Sequence, residues 1–180
     1  MAKFSEIPPP QWASQVFKLW AEDWLLLTAG ELADHRFNAM TVAWGGFGVM
    51  WNLPIVMVVV RPQRHTFRFM EAAPGFTLCA FPPEQHHVLE YCGAHSGQDV
   101  DKIRETGITP LASRTVGAPG YAEASLWLEC RKLYFTDFDP AHFLDPRIAA
   151  NYPARDYHRM YFGELLAFRM TDVATDSNQQ

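Results

Sequence analysis

The sequence predicts a mainly β protein, a mostly antiparallel barrel with short helices inserted between its strands. Several short apolar or alternating segments end at glycine or proline, which is typical of strands and turns. Helical patterns separate only some of these segments, so the regular alternation of a doubly wound parallel sheet is missing. The chain has 180 residues, of which 48% are hydrophobic, and this is enough for one core. Closing the sheet into a barrel would remove its exposed edges.

The first half of the chain contains the strongest strand pattern. Residues 55–60 are β-branched and apolar on both faces, so we expect a strand that is buried on both sides. A lead-in that ends in prolines, residues 1–10, should be extended. The other predicted elements are helices at 11–22 and 66–73 and strands at 25–29 and 37–44, the last of which runs into a break or bulge at Gly45-Gly46.

The second half continues this mixture without an internal repeat or a linker, so residues 1–180 should form one domain. Asp99 is the expected N-cap of a short helix that stops at Gly107. The polar residues 171–180 should form a frayed tail. The predicted elements are strands at 76–81 and 126–135, helices at 84–91 and 99–106, and a last strand within 157–170.

Composition excludes several classes of function. With 20 acidic against 15 basic residues, the formal net charge is −5, which argues against broad nucleic-acid binding. The longest apolar run, residues 53–60, is too short to cross a membrane, and the first ten residues hold no signal-peptide core. Cys79, Cys92 and Cys130 form no CxxC pair and indicate reduced thiols in a cytoplasmic protein. The histidines lack metal-ligand spacing, so no metal is expected.

One short run concentrates positive charge. Residues 61–68, RPQRHTFR, hold three arginines and no acid. Arg61, Arg64, His65 and Thr66 lie between the buried strand and a helix start, where first-turn N–H groups lack partners. Guanidinium groups beside such N–H groups are typical of a phosphate site. A solvated arginine patch at a strand end is the alternative.

Two further segments could bind parts of a ligand. Ser96 and Gly97 can offer a hydroxyl and backbone N–H groups, and Lys102 can add a charge from the first turn of the next helix. Asn38 and Thr41 lie on a strand whose backbone could hydrogen-bond to a planar heterocycle. The alternatives are an ordinary capped helix and an amphipathic strand with a core tryptophan. Two anion-binding helix starts in one acidic domain favour a phosphorylated ligand.

Together the segments NAMTVAW (38–44), RPQRHT (61–66) and SGQDVDK (96–102) resemble the flavin reductase-like family of FMN-binding split barrels, which includes flavoredoxin. The similarity in spacing covers residues 28–107, and YFGE at 161–164 resembles the end of the family's domain. The resemblance implies an antiparallel split β-barrel that forms a homodimer and binds FMN near the subunit interface. It implies these FMN-binding residues: Asn38, Ala39, Met40 and Thr41 along the ring, Arg61, Arg64, His65 and Thr66 toward the phosphate and ribityl chain, and Ser96, Gly97 and Lys102 on the phosphate side.

The resemblance also implies an FMN-dependent oxidoreductase. It would take electrons from NAD(P)H, a transient co-substrate, and pass them to a flavin or to another small-molecule or protein acceptor. A non-enzymatic FMN electron carrier and a flavin-free barrel for a small ligand are the alternatives. The redox chemistry belongs to the cofactor, so no catalytic residue is assigned. Gln98 stands where the family often has Arg or Lys, which removes one charged contact from the pattern. His158 and Tyr161 could border the flavin face.

Overall fold

The computed structural model describes residues 4–6, 8 and 15–171 of the chain. Most of the predicted lead-in lies outside the described residues, as do residues 11–14 of the first predicted helix and residues 172–180 of the predicted tail. These expectations stay predictions. Within the described residues, no helix has the length and apolar character needed to cross a membrane.

Strands make up most of the described chain, and the helices between them are short. The strands are β1 (Phe4–Glu6), β2 (Leu25–Glu31), β3 (Arg36–Val42), β4 (Gly45–Met50), β5 (Leu53–Val60), β6 (Gly75–Ala80), β7 (Pro110–Leu111), β8 (Gly120–Tyr121), β9 (Leu126–Asp137) and β10 (Arg159–Thr171). The α-helices are α1 (Val16–Lys18), α2 (Thr66–Ala72), α3 (His86–Ala94) and α4 (Lys102–Thr106). A π-helical turn covers Leu19–Asp23, and 3-10 turns cover Pro83–Gln85, Pro140–His142 and Pro146–Asn151.

Eight strands form one antiparallel sheet, which confirms the mostly antiparallel architecture with inserted helices. Hydrogen bonds join seven of them in the order β3-β2-β6-β9-β10-β5-β4, and β1 pairs with the end of β10. Among the described strands this order does not close on itself, so β3 and β4 keep open edges there, whereas the sequence predicts a closed barrel. β9 and β10 are long, and the bulges at Phe162/Gly163 and Leu165/Ala167 bend their ladder.

Two hydrophobic clusters cover opposite faces of the sheet around β2. Leu25 and Leu27 lie in one cluster with the valines of β5, whereas Leu26 lies in the other with Leu89 of α3. Successive side chains of a strand point to opposite faces, so β2 is buried on both. The two-sided burial predicted for residues 55–60 is also confirmed, because all of them except Met57 are buried.

The hairpin of β4 and β5 differs from the prediction. The break falls at residues 43–44, and Gly45 begins β4. An added Cβ at Gly45 would lie 2.4 Å from the Met57 carbonyl oxygen and 2.4 Å from the Trp20 ring, so this glycine allows close packing. A two-residue turn, Trp51-Asn52, joins the strands, with φ of 53° and 59° as a type I′ turn requires. Asn52 tolerates that backbone but tryptophan does not favour it, so the sequence carried only a weak turn signal there.

Candidate functional site

The open edge of β3 forms one side of the candidate site. Among the described strands, β3 pairs with β2 alone, so every second residue turns its backbone groups away from the sheet. Lys102 donates from Nζ to the carbonyl oxygens of Ala39 and Cys92, both at 2.8 Å. Because Ala39 faces the open edge, the backbone of Thr41 faces it as well. The Thr41 hydroxyl donates to the Leu89 carbonyl oxygen, which ties β3 to α3 a second time.

Lys102 is almost completely buried, with 5% of its surface exposed. Burial lowers the pKa of its ammonium group to about 8, an effect that Cys92 partly offsets and Arg64 reinforces. An ammonium group has three N–H donors, and the two carbonyl oxygens use two of them. One donor is left for a ligand. Because the other two bind carbonyl oxygens of β3 and α3, the main role of Lys102 is to hold these two elements together.

Asn38, Thr66 and Gly97 meet where β3, α2 and the loop before α4 come together. The Asn38 amide donates to Thr66 Oγ1 at 2.7 Å, and both residues are buried. Gly97 packs against this amide so closely that an added Cβ would lie 1.9 Å from Asn38 Oδ1. The structure therefore brings residues of all three predicted segments into one polar cluster.

A small pocket of about 230 Å³, here called the phosphate pocket, lies beside this cluster and has no carboxylate among its lining residues. Arg64 is its most available cation. The Arg64 Nη2 donates to the Gly93 carbonyl oxygen at 2.9 Å, and the guanidinium group forms no ion pair with any described residue. Burial and the charge of Arg61 lower the pKa of Arg64. An anion would stabilise this partly desolvated cation. The polar residues of the pocket are Asn38, Gln63, Arg64, His65, Thr66, His95, Ser96 and Lys102.

A larger groove of about 480 Å³, here called the ring groove, runs along β3. Its lining includes the edge of β3, part of α3 and residues of the loops around them. The lining residues are Trp24, Met40, Thr41, Ala43, Arg61, Arg64, Leu89, Glu90, Gly93 and His158. Arg64 lines both the groove and the phosphate pocket. A ligand with a planar ring and a phosphate could therefore occupy both.

Arg61 lies at the ring groove, but its guanidinium group already has partners. It pairs with Asp156 at 2.6 Å, donates to the Asn151 carbonyl oxygen at 2.8 Å and lies over the Tyr152 ring. These contacts hold the segment before β10 against the end of β5. Contact of Arg61 with a phosphate therefore stays a prediction, and Arg64 is left as the free arginine of the groove.

His158 lines the ring groove, whereas Tyr161 lies in the core and donates to Glu71. The Nδ1 atom of His158 is 2.8 Å from the Tyr152 hydroxyl, and the His158 ring is 5.2 Å from the Trp44 ring. Burial lowers the pKa of His158 to about 4. The imidazole is therefore neutral near pH 7 and can form a hydrogen bond through Nε2.

The two predicted helix starts contribute less than expected. α2 has seven residues and α4 has five, so neither builds a long macrodipole. The prediction that Asp99 caps α4 is wrong: Asp101 is the N-cap, and its carboxylate accepts from the Arg104 N–H at 3.1 Å. Gly107 does end the helix, with φ of 70°. The cations, and not the helix ends, make the phosphate pocket suitable for an anion.

Sequence reasoning missed the part of the groove that α3 contributes. Gly93 lies beyond the helix predicted over 84–91 but is inside α3, where an added Cβ would approach the Thr41 side chain at 3.4 Å. A glycine inside a helical pattern is the one signal that indicates such a close approach. Trp24 was missed as well, because its position depends on a backbone φ of 60° before β2.

These features fit FMN, the cofactor that the resemblance implies. Its phosphate carries close to two negative charges at neutral pH, and the phosphate pocket offers Arg64 and Lys102 without a competing carboxylate. Its ring has a polar rim and apolar faces, and the groove combines an open strand edge with Trp24, Met40 and Leu89.

Comparisons with known proteins agree with this architecture. An FMN-binding domain of a flavin reductases-like enzyme from Shewanella baltica is 17% identical, with 94% of this chain and 78% of that chain covered and a TM-score of 0.67. Flavoredoxin of Desulfovibrio vulgaris is 20% identical, with 92% and 78% covered and a TM-score of 0.66. An NADH:FAD oxidoreductase of Streptomyces globisporus is 18% identical, with 82% and 75% covered and a TM-score of 0.63.

These similarities confirm the predicted split-barrel class of fold. A search of curated proteins finds no significant match. The family model for the flavin reductase like domain matches residues 21–177, which includes β2 to β10 and every residue of the candidate site. The chain therefore belongs to the flavin reductase-like domain family.

Proposed function

We propose that the protein is an FMN-dependent oxidoreductase that takes electrons from NAD(P)H and passes them to a second flavin or another acceptor. The observation that carries the proposal is Arg64. Its guanidinium group has no ion pair among the described residues and lines both the phosphate pocket and the ring groove. Membership of a flavin reductase-like family and the fold similarity to an NADH:FAD oxidoreductase support the choice of reaction.

Each part of the site has a separate task in this proposal. Bound FMN would supply the electron-accepting ring. Arg64 and the remaining donor of Lys102 bind the phosphate, which neutralises its charge in a partly desolvated pocket. The open edge of β3 at Thr41 orients the polar rim of the ring. His158, held through Nδ1 by Tyr152, keeps one uncharged hydrogen-bonding atom at the groove.

The colour and reactivity of the purified protein test the proposal. Protein prepared without FMN should bind about one FMN per chain, as a single site predicts, and quenching of flavin fluorescence measures the affinity. No measurable binding would refute both the enzyme and the electron-carrier alternative. Anaerobic mixing with NADH or NADPH separates these two, because bleaching of the flavin absorption supports an enzyme and an unbleached flavin supports a carrier.

A matched pair of variants locates the phosphate. Arg64→Gln should weaken FMN binding by about 10-fold to 100-fold, since a charge-assisted hydrogen bond contributes about 1.5–3 kcal/mol. Arg147→Gln is the control, because Arg147 is exposed and pairs with Asp145 on a separate 3-10 turn. Equal affinities of the two variants would place the phosphate elsewhere.

We further propose a homodimer that uses the turn between β4 and β5. Trp51 is 54% exposed in a positive-φ conformation and lies against Tyr134 and Phe162, while Val49 beside it is 79% exposed. A non-glycine residue in this conformation costs on the order of 1 kcal/mol. An exposed aromatic cluster on a strained turn is typical of an interaction surface.

The compartment and the partners complete the proposal. Cys79, Cys92 and Cys130 are all buried free thiols, which supports a reducing, cytoplasmic location. The acidic net charge of −5 disfavours nucleic acid as a partner. We therefore propose small molecules or another protein as electron acceptors.

A further inference from the structure

A segment without strands, residues 139–157 between β9 and β10, follows the end of the sheet and is here called the strap. Its two 3-10 turns are capped from within the strap, by Asp139 and by Asp145. All residues of the strap are described, and Tyr152 is the only buried one among them, whereas Leu144 is 98% exposed. The strap therefore has few contacts that fix it to the sheet.

Asp156 ties the strap to the basic run at residues 61–68. Its Oδ2 atom accepts from Arg61 Nη1 at 2.6 Å and also from the Gln63 amide. Arg61 donates in addition to the Asn151 carbonyl oxygen at 2.8 Å. The hydrogen bond from Arg61 lowers the pKa of Asp156, so this side chain is a carboxylate at neutral pH.

The two donors that Asp156 occupies belong to the candidate site. Arg61 lines the ring groove, and Gln63 lines the phosphate pocket. No residue of the strap, all of which is described, lines either hollow. Asp156 therefore acts on the site only through these donors, and a bound phosphate could accept the same hydrogen bonds.

A phosphate can replace this carboxylate without leaving Arg61 unpaired. FMN phosphate carries close to two negative charges, against one for Asp156, and a guanidinium group binds either anion through the same fork of N–H donors. The Arg61 and Asp156 side chains are 27% and 13% exposed, so water can hydrate the released carboxylate. Arg155, directly before Asp156, has a φ of 54°, which is unfavourable for a residue other than glycine and can relax on release.

We infer that the Asp156 contact is autoinhibitory: it occupies Arg61 and Gln63 when no flavin is bound, and the phosphate of FMN displaces it and releases the strap. The inference rests on the proposed function, because it concerns the FMN of the phosphate pocket. Arg64 receives the phosphate first, since it forms no ion pair with any described residue. Arg61 then exchanges Asp156 for the phosphate. The alternative is a permanent brace, in which Arg61 and Asp156 stay paired when FMN binds.

Asp156→Asn tests the inference through FMN affinity. This variant removes the charge but keeps the shape of the side chain, so Arg61 is available without breaking an ion pair. Quenching of flavin fluorescence should show about tenfold tighter binding than in the wild type, the equivalent of one charge-assisted contact. Asp145→Asn is the matched control, because Asp145 also lies in the strap and pairs with Arg147 at 2.6 Å. Its FMN affinity should equal that of the wild type, since neither residue lines the two hollows.

Trypsin cleavage measures release of the strap directly. Arg147 and Arg155 are exposed cleavage sites within it. A ligand that binds the folded state normally protects a protein from proteolysis. FMN should instead speed cleavage at these two sites severalfold, because the strap loses its contact with Arg61. Asp156→Asn should be cleaved at the faster rate without FMN, and mass spectrometry of the fragments separates these cuts from cuts elsewhere.

Failure of the inference and failure of the proposed function give different results. If neither the wild type nor Asp156→Asn binds FMN, the proposed function fails and the inference fails with it. Binding by Asp156→Asn alone would support both. If the wild type binds FMN, the inference alone fails when Asp156→Asn binds no more tightly, when Asp145→Asn tightens binding by the same factor, or when FMN does not speed cleavage of the strap.

Discussion

Replacing Gly97 by alanine should damage the polar cluster that holds the candidate site together. The new methyl group would lie 1.9 Å from Asn38 Oδ1 and 2.8 Å from Asn38 Cγ. Neither distance is possible, and Asn38 is short, buried and held by Thr66. The amide would have to turn away and lose its 2.7 Å bond to the Thr66 hydroxyl.

The cost follows from these two changes. A lost hydrogen bond that leaves a buried polar group without a partner costs about 1–3 kcal/mol, and overpacking adds about 1–3 kcal/mol. We expect Gly97→Ala to lower the free energy of unfolding by about 2–6 kcal/mol in total. Gly48→Ala is the control, because an added Cβ there meets nothing within 4 Å. Its effect should stay within about 0.5 kcal/mol.

Urea unfolding of the single and double variants measures this cost. Asn38→Ala removes the atoms that the new methyl group would strike, so Gly97→Ala should cost less than about 1 kcal/mol in that background. The same cost in both backgrounds would refute the steric reasoning. Gly97→Ala should also weaken FMN binding, since Thr66 and Gly97 both line the phosphate pocket.

Three further predictions concern protonation and assembly. Lys102 has a pKa of about 8, and a bound phosphate favours its charged form. FMN affinity should therefore fall as pH rises from 7 to 9.5, by up to about tenfold per pH unit. Fluorescence titrations of Lys102→Met should show an affinity that does not change over this pH range, and the same pH dependence as in the wild type would contradict this. The pKa of His158 is about 4 in the folded chain, against 6.5 in the unfolded chain. Below pH 6.5 the unfolded chain therefore takes up a proton that the folded chain does not. The free energy of unfolding should fall between pH 6.5 and pH 4, by at most about 3 kcal/mol. Urea midpoints of His158→Gln should therefore depend less on pH across this window, and a profile parallel to that of the wild type would argue against it. Trp51→Glu should convert a dimer into a monomer in sedimentation velocity, and a wild type that is already monomeric would rule out the dimer.

Much of the fold could be predicted from local pattern. The strands around 25–29, 55–60, 76–81 and 126–135 are confirmed, because their apolar runs and their glycine or proline ends are local signals. The β4–β5 turn could not be predicted, since its backbone at Trp51 depends on strand pairing and not on a favoured turn residue. The true cap of α4 was missed because Asp99 and Asp101 are both suitable residues, and only the path of the loop decides between them.

The sequence by itself determined that positive charge is concentrated in residues 61–68 and that this run follows a strand buried on both sides. It also determined the three segments that resemble one family. Only the tertiary structure decided what each arginine does. Arg61 is paired with Asp156, which lies 95 residues away along the chain, Arg64 stays free between the groove and the phosphate pocket, and Arg68 faces another hollow. The sequence gives the position of each charge along the chain, but the fold determines which charges pair. The reason is that the strength of an ion pair depends on distance in space and not on separation along the chain.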